Sequence, residues 1–103
     1  MIKVSVFYPA SDGAKFDMEY YCETHVLMVK QKLGVACKRI EIDQGVSGRE
    51  PGSARTFAEM GHMYFDSVAE FQSVFGPHAQ AFAADVPNYT TIRPVIQISD
   101  IKD

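Results

Sequence analysis

The chain of 103 residues is long enough for one domain, which we place at residues 1–103. Its net charge of −3 provides no basic field for nucleic acid or an anionic membrane, and no apolar run approaches the length of a membrane span. The two cysteines lack CxxC spacing, and the first residues do not read as a signal peptide. We therefore expect a cytoplasmic protein with reduced thiols that binds neither nucleic acid nor membrane.

The first half of the chain predicts a strand, a helix and a second strand. Apolar residues alternate from Ile2 to Tyr8, which is typical of a half-buried strand. Asp17 can cap a helix that ends at Gly34. The apolar stripe of this helix has spacings of three or four and comprises Met18, Cys22, His25, Val29 and Leu33. A second strand is predicted over residues 36–46.

The second half repeats this order. A third strand is predicted over residues 56–65, followed by the capping box Ser67–Glu70 and a second helix. We expect one strand face to hold Phe57, Glu59, Gly61, Met63 and Phe65, and the other Ala58, Met60, His62 and Tyr64. His78 to Asp85 reads as a further short helical segment, and Val95 to Ile101 as the last strand.

The order β-α-β-β-α-β predicts an α+β, ferredoxin-like fold with a four-stranded antiparallel sheet and both helices on one face. The other face would hold Met60, His62 and Tyr64, and Ile96 and Ile98 would add to it. The last strand contributes every second residue from Val95 to Ile101, and the sequence leaves open which of the two sets points into the interface. Such a face is too apolar for water. We therefore predict a homodimer with the two sheets packed face to face as a dimeric α/β barrel.

Six segments spread over nearly the whole chain carry a resemblance to a known family. They are Val4–Pro9, Phe16–Tyr21, Thr24–His25, Gly61–Ser67, Pro87–Thr90 and Pro94–Ile98. In this order they resemble the EthD family of the dimeric α/β-barrel superfamily. The resemblance implies a small catabolic protein, since the founding member is associated with degradation of an alkyl ether and members are often labelled reductases.

The same superfamily contains cofactor-free cyclases and haem-degrading or antibiotic-type monooxygenases. The segment Gly76–Ala79 with Phe82 is similar to the cyclase segment that carries the catalytic histidine, which implies a role for His78. His25 falls where that cyclase has a pocket tyrosine. The resemblance thus directs attention to two histidines.

Three ionisable residues are candidates for catalysis. His25 lies on the apolar stripe and could transfer protons near neutral pH, although it could equally be a core histidine held by one hydrogen bond. His78 follows a Gly-Pro break and would be a neutral general base at a helix start, or a solvent-exposed cap. Glu59 among apolar neighbours would have a raised pKa and could partner a histidine, unless it reaches water near a strand end.

The remaining candidates describe a ligand pocket. We expect it to be lined by Phe7, Tyr21, Cys22, Phe75, Phe82 and Tyr89. Cys22, His25 and His78 form too weak a pattern for a metal site, and no nucleotide-binding fingerprint is present, so we predict no metal and no cofactor.

The favoured function is a cofactor-free enzyme that acts on a small hydrophobic or aromatic ligand. The alternatives are a non-catalytic binding or accessory protein for a hydrophobic intermediate, and a haem-degrading or antibiotic-type monooxygenase.

Overall fold

Four strands form one sheet in the computed structural model, which describes residues 1–102. They are β1 Ile2–Pro9, β2 Arg39–Gln44, β3 Phe57–Phe65 and β4 Val95–Asp100. The order across the sheet is β2-β3-β1-β4, and every neighbouring pair is antiparallel. This arrangement confirms the predicted ferredoxin-like α+β fold.

Two helical stretches connect the strands. The first, α1, comprises a helical turn Met18–Tyr20, a π-helical segment Tyr21–His25 and an α-helix Val26–Leu33, and a 3₁₀ turn Gly34–Ala36 follows. The second comprises α2 Val68–Phe75, a 3₁₀ turn Gly76–His78, α3 Ala79–Asp85 and a 3₁₀ turn Val86–Asn88. Within residues 1–102, no helix is both long and apolar enough to cross a membrane.

The predicted caps position both helical stretches. The Asp17 Oδ1 atom accepts a hydrogen bond of 3.0 Å from the Tyr20 amide. The Ser67 Oγ atom accepts one of 3.1 Å from the Glu70 amide. Each cap satisfies an amide that a helix start would otherwise leave without a partner, so both starts lie where the sequence predicts them.

The main core lies between the helices and one face of the sheet. Its buried members are Ile2, Val4, Val29, Leu33, Met63, Phe65, Phe71 and Phe82. Each of β1, β3, α1, α2 and α3 contributes a buried residue to this cluster, whereas β2 and β4 contribute none. The two outer strands are therefore the less covered part of the helix side.

Two face assignments made from the sequence are wrong. Ile96 lies opposite Val6, and Ile98 lies opposite Val4, so both point to the helix side of the sheet, where they are 56% and 40% exposed. Facing residues of paired strands share a face, which periodicity alone cannot fix for an edge strand. Phe57 was expected on the same face as Glu59, but a β-bulge beside Tyr8 pairs it with Pro9 instead. It therefore lies on the face of the sheet opposite the helices, which we call the open face.

The open face of the sheet is more polar than expected. Met60, His62 and Tyr64 do lie on it, but the Ser5 hydroxyl lies 2.8 Å from His62 Nδ1, and Tyr64 donates a hydrogen bond of 2.6 Å to Glu41. The Arg39 guanidinium also lies over the Tyr64 ring, 4.6 Å from its centroid. Several of its polar side chains thus already have partners within one chain.

Candidate functional site

A cavity of about 850 Å³ lies between the helices and the sheet. Its lining comes from β1, β2, β3, α1, α2, α3 and the segment of residues 86–96. Most of the lining side chains are aliphatic or aromatic, including Val4, Val29, Phe71, Phe75 and Phe82. A space of this size and character suits a small hydrophobic ligand.

His25 provides a buried imidazole at this cavity, whose lining also includes His62 and Arg93. The His25 side chain is buried, and its Nδ1 atom lies 2.9 Å from Oδ2 of Asp85, the last residue of α3. The His25 ring also stacks on Tyr21 at 5.6 Å and lies 4.7 Å from the Tyr89 ring. The carboxylate and the two rings together fix the orientation of the imidazole.

The state of Asp85 decides which nitrogen of His25 carries the proton. Burial opposes ionisation of Asp85, but hydrogen bonds from Asn88, Tyr20 and His25 together hold its pKa below the ordinary value. The Tyr20 hydroxyl and the Asn88 amide donate bonds of 2.7 and 2.9 Å to the same Oδ1 atom. An ionised carboxylate can only accept hydrogen bonds, so His25 Nδ1 carries a proton and donates the hydrogen bond to Asp85.

His25 lines the cavity, and its second nitrogen is the one that Asp85 does not hold. Nε2 has no hydrogen-bond partner among residues 1–102, and it is not sealed from solvent. In the neutral imidazole with a protonated Nδ1, Nε2 carries the lone pair. The arrangement is therefore that of an oriented general base at the wall of an apolar cavity.

Tyrosine hydroxyls form a second polar region of the cavity lining. Tyr8 and Tyr89 are each 3% exposed, and their hydroxyl oxygens lie 2.7 Å apart. Tyr89 is held in place by the hydrogen bond of 2.7 Å from the Asp17 amide to its carbonyl oxygen. Tyr21 lines the same wall from the π-helical segment, a kind of irregularity that is frequent at functional sites.

Glu59 lies behind these tyrosines and not in the cavity lining. Its side chain is fully buried, it faces Tyr8 across the β1–β3 pair, and neither carboxyl oxygen has a hydrogen-bond partner in the described part of the chain. Burial raises its pKa to about 8, the nearby Tyr21 hydroxyl lowers it in part, and Asp43 adds repulsion. Glu59 is therefore mainly protonated at neutral pH.

The structure does not bring all the predicted pocket residues together. Tyr21, Phe75, Phe82 and Tyr89 line the cavity. Phe7 does not, because it lies on the open face, where its ring packs 5.4 Å from that of Phe57. Cys22 is exposed, on a side of α1 away from the cavity.

His78 also lies outside the cavity lining. It is half-buried at the start of α3, and its ring lies 5.9 Å from Phe82, whereas His25 lies 6.5 Å from the same ring. The two predicted histidines thus flank one phenylalanine, but only His25 borders the ligand space. Within residues 1–102, no group of three or more His, Cys, Asp or Glu side chains is placed to hold a metal ion.

Sequence reasoning missed the residues that give His25 its chemistry. Asp85 is 60 residues away from His25 along the chain, and it was assigned only as the end of a short helix. Tyr8 was assigned only to the β1 pattern, although its hydroxyl meets Tyr89 from 81 residues away. The one available signal was the polarity of Asp85 in a mostly apolar helical segment, and this signal does not name a partner.

Comparison with known proteins defines the class of this chain. Residues 13–92 match the EthD domain family. An EthD-like protein from Ralstonia eutropha JMP134 has a similar structure, with 40% identity and a TM-score of 0.91 over 96% of this chain and 89% of that one. The chain therefore belongs to the EthD family.

More distant structures share the fold. An ethyl tert-butyl ether d (EthD) family protein from Bacillus halodurans C-125 is 17% identical, with a TM-score of 0.69 over 99% of both chains. A dimeric protein of unknown function with a ferredoxin-like fold, from Bacteroides fragilis NCTC 9343, is 14% identical, with a TM-score of 0.51 over 97% of this chain and 95% of that one. No curated protein of known function matches the chain.

Proposed function

We propose that this EthD-family protein is a cofactor-free enzyme that moves a proton on a small hydrophobic or aromatic metabolite. The observation that carries this proposal is the His25–Asp85 pair at the wall of an apolar cavity. The Nδ1–H bond to Asp85 fixes the ring and stabilises the imidazolium form after His25 accepts a proton. Nε2 then accepts a proton from the ligand and returns it at another atom.

This proposal changes the roles expected from the sequence. Acid/base chemistry is assigned to His25 alone, with Asp85 as its positioning residue. His78 packs against Phe82 from outside the cavity, and Glu59 lies behind the tyrosines, so neither side chain is proposed to touch the ligand. A non-catalytic binding protein would use the same cavity but would not need a basic Nε2.

Proton exchange in deuterated water tests the proposal without knowledge of the natural substrate. A panel of small aromatic ketones, phenols and quinones is incubated with the purified protein, and loss of carbon-bound hydrogen is followed by NMR. We expect exchange into at least one compound, slowed by roughly a hundredfold or more in His25→Gln, since general bases contribute about that much. If the wild-type protein binds compounds of the panel but exchanges none of their carbon-bound hydrogen, the binding-protein alternative is favoured.

Asp85→Asn tests whether Asp85 positions the proton of His25 or only supports the fold. The amide preserves size but no longer fixes the proton on Nδ1, so we expect a slower exchange rate with little change in ligand affinity. Asp85→Glu should restore part of the rate. His78→Gln is the matched control, and it should exchange at the wild-type rate because His78 does not border the cavity.

The proposed assembly is a homodimer through the open face of the sheet. Phe7, Phe57 and Met60 form an apolar strip there, and each is only half-buried within one chain. The Bacteroides fragilis protein of similar fold is dimeric. A second copy would cover this strip.

A further inference from the structure

The cavity opens to solvent between the end of α3 and the start of β4. Lining residues in its interior, such as His25, Phe71 and Phe82, are buried. The lining residues that are exposed mark the rim, and they are Ala83, Pro87, Thr91, Arg93 and Ile96. A ligand in this cavity therefore has a hydrophobic end inside and another end that meets water at the rim.

Arg93 brings a permanent positive charge to this rim. Among residues 1–102, no other Arg and no Lys, Asp or Glu lines the cavity. The chain as a whole has 13 acidic against 10 basic residues, so the lining departs from its overall charge balance. An anionic group of a ligand would meet a cation at the rim and no opposing carboxylate in the lining.

The charge of Arg93 is not neutralised by the chain itself. Its guanidinium forms no ion pair within residues 1–102. Asp12 borders a neighbouring hollow together with Arg93, but these two side chains do not pair. A guanidinium carries its N–H donors in a planar fork that fits the two oxygens of a carboxylate.

The two histidines of the lining already lie beside negative charges. His25 Nδ1 donates to Asp85. His62 Nδ1 lies 2.8 Å from the Ser5 hydroxyl, and its Nε2 atom lies 3.5 Å from Asp43 on the open face. A carboxylate would already balance either imidazole if it became protonated, so an anion gains less there than at the rim.

Thr91 adds a neutral donor to the same rim. Its Oγ1 atom accepts a hydrogen bond of 3.1 Å from the Lys15 amide, and it makes no other hydrogen bond within residues 1–102. The hydroxyl proton is therefore available to an acceptor at the rim. Arg93 and Thr91, two residues apart, together offer a charged and a neutral donor.

Resting on the function proposed above, we infer that the ligand is an aromatic carboxylate whose ring fills the cavity and whose acid group binds Arg93 at the rim. One guanidinium balances one negative charge, so a carboxylate fits, whereas a dianionic phosphate would leave a charge without a partner. The bound acid group fixes which part of the ring lies against His25. Arg93 is thus a specificity-determining residue, and the proton transfer stays with His25.

Naphthoate and naphthamide test this site, because they have nearly the same size and shape but differ in charge at neutral pH. We expect the wild-type protein to bind naphthoate about tenfold more tightly in a calorimetric or NMR titration at low salt, and less so at high salt. Arg93→Gln removes the charge and should bind both probes equally. Arg93→Lys keeps the charge without the planar fork and should retain part of the preference.

Arg49→Gln is the matched control for loss of one positive charge. Arg49 is exposed in the loop between β2 and β3 and does not line the cavity, so the preference for naphthoate should persist. Equal binding of the two probes by the wild type would overturn the inference, and so would a preference that survives Arg93→Gln or disappears in Arg49→Gln. Tighter binding of naphthyl phosphate than of naphthoate would overturn the assignment to a carboxylate.

His25→Gln separates this inference from the proposed function. We expect this variant to lose proton exchange and to keep the preference for naphthoate, whereas loss of the preference would overturn the role of Arg93. A wild-type protein that prefers naphthoate but exchanges no ligand hydrogen would keep the carboxylate site and refute the proposed enzyme. A wild-type protein that exchanges hydrogen in the panel but shows no preference for naphthoate would refute this inference alone.

Discussion

Glu59 is the most unusual single residue of the chain, because a fully buried carboxyl group without a hydrogen bond is costly when ionised. The protein holds it in the neutral form, with a pKa of about 8. In the unfolded chain the same group ionises near its ordinary value of 4.5. Between these two values the folded state keeps a proton that the unfolded state releases.

Glu59 should therefore make the protein less stable as the pH rises. Within the window from about pH 5 to pH 8, the free energy of unfolding should fall by up to about 1.4 kcal/mol per pH unit. Glu59→Gln cannot ionise, so its stability should be nearly independent of pH there and exceed that of the wild type on the alkaline side. Urea denaturation at the two ends of the window measures this, and parallel pH profiles of the two proteins would contradict the raised pKa.

At the scale of the elements, Gly61 in β3 sets the distance between the sheet and α1. A Cβ atom at this position would lie 2.9 Å from the Tyr21 hydroxyl and 3.4 Å from Glu59 Oε2. The absence of a side chain is what allows the tyrosine to reach the sheet. Gly61 therefore determines how closely the Tyr21 side chain approaches β3.

Gly61→Ala should push the Tyr21 ring away from the sheet and disturb its stack on His25. The tightly packed neighbours cannot move freely, so we expect a loss of about 1–3 kcal/mol in stability. Gly76→Ala is the matched control: it has a helical φ of −48° and nothing within 4 Å of its Cβ position, so it should be neutral or slightly stabilising. Equal melting temperatures for the two variants would refute the role of Gly61.

Local signals in the sequence predict elements well and their mutual contacts poorly. Asp17 and Ser67 mark helix starts because a cap depends on residues three positions away. The bulge that turns Phe57 to the open face depends on pairing with β1, which lies nearly 50 residues earlier. The His25–Asp85 bond depends on how α1 packs against α3, so the sequence suggested the base but not its partner.

At the scale of the whole molecule, the two faces of the sheet differ in what covers them. The helix side is closed by α1, α2 and α3, except along β4, where Ile96 and Ile98 remain exposed. Among residues 1–102, no helix covers the open face, but its polar groups already pair within the chain, through Ser5 with His62 and through Tyr64 with Glu41. A second copy would therefore gain mainly from the apolar strip.

The proposed homodimer can be tested by charge placed in that strip. Met60 is half-buried opposite Phe7, so Met60→Asp would bury an unpaired carboxylate at the centre of the interface. Several kcal/mol are lost in this way, enough to dissociate a dimer that buries on the order of 2,000 Å². Val35→Asp is the matched control, since Val35 is 92% exposed in the turn after α1 and lies outside the sheet. In sedimentation equilibrium at tens of micromolar, the wild type and Val35→Asp should be dimers and Met60→Asp a monomer, whereas a wild-type mass of 11.5 kDa would refute the dimer.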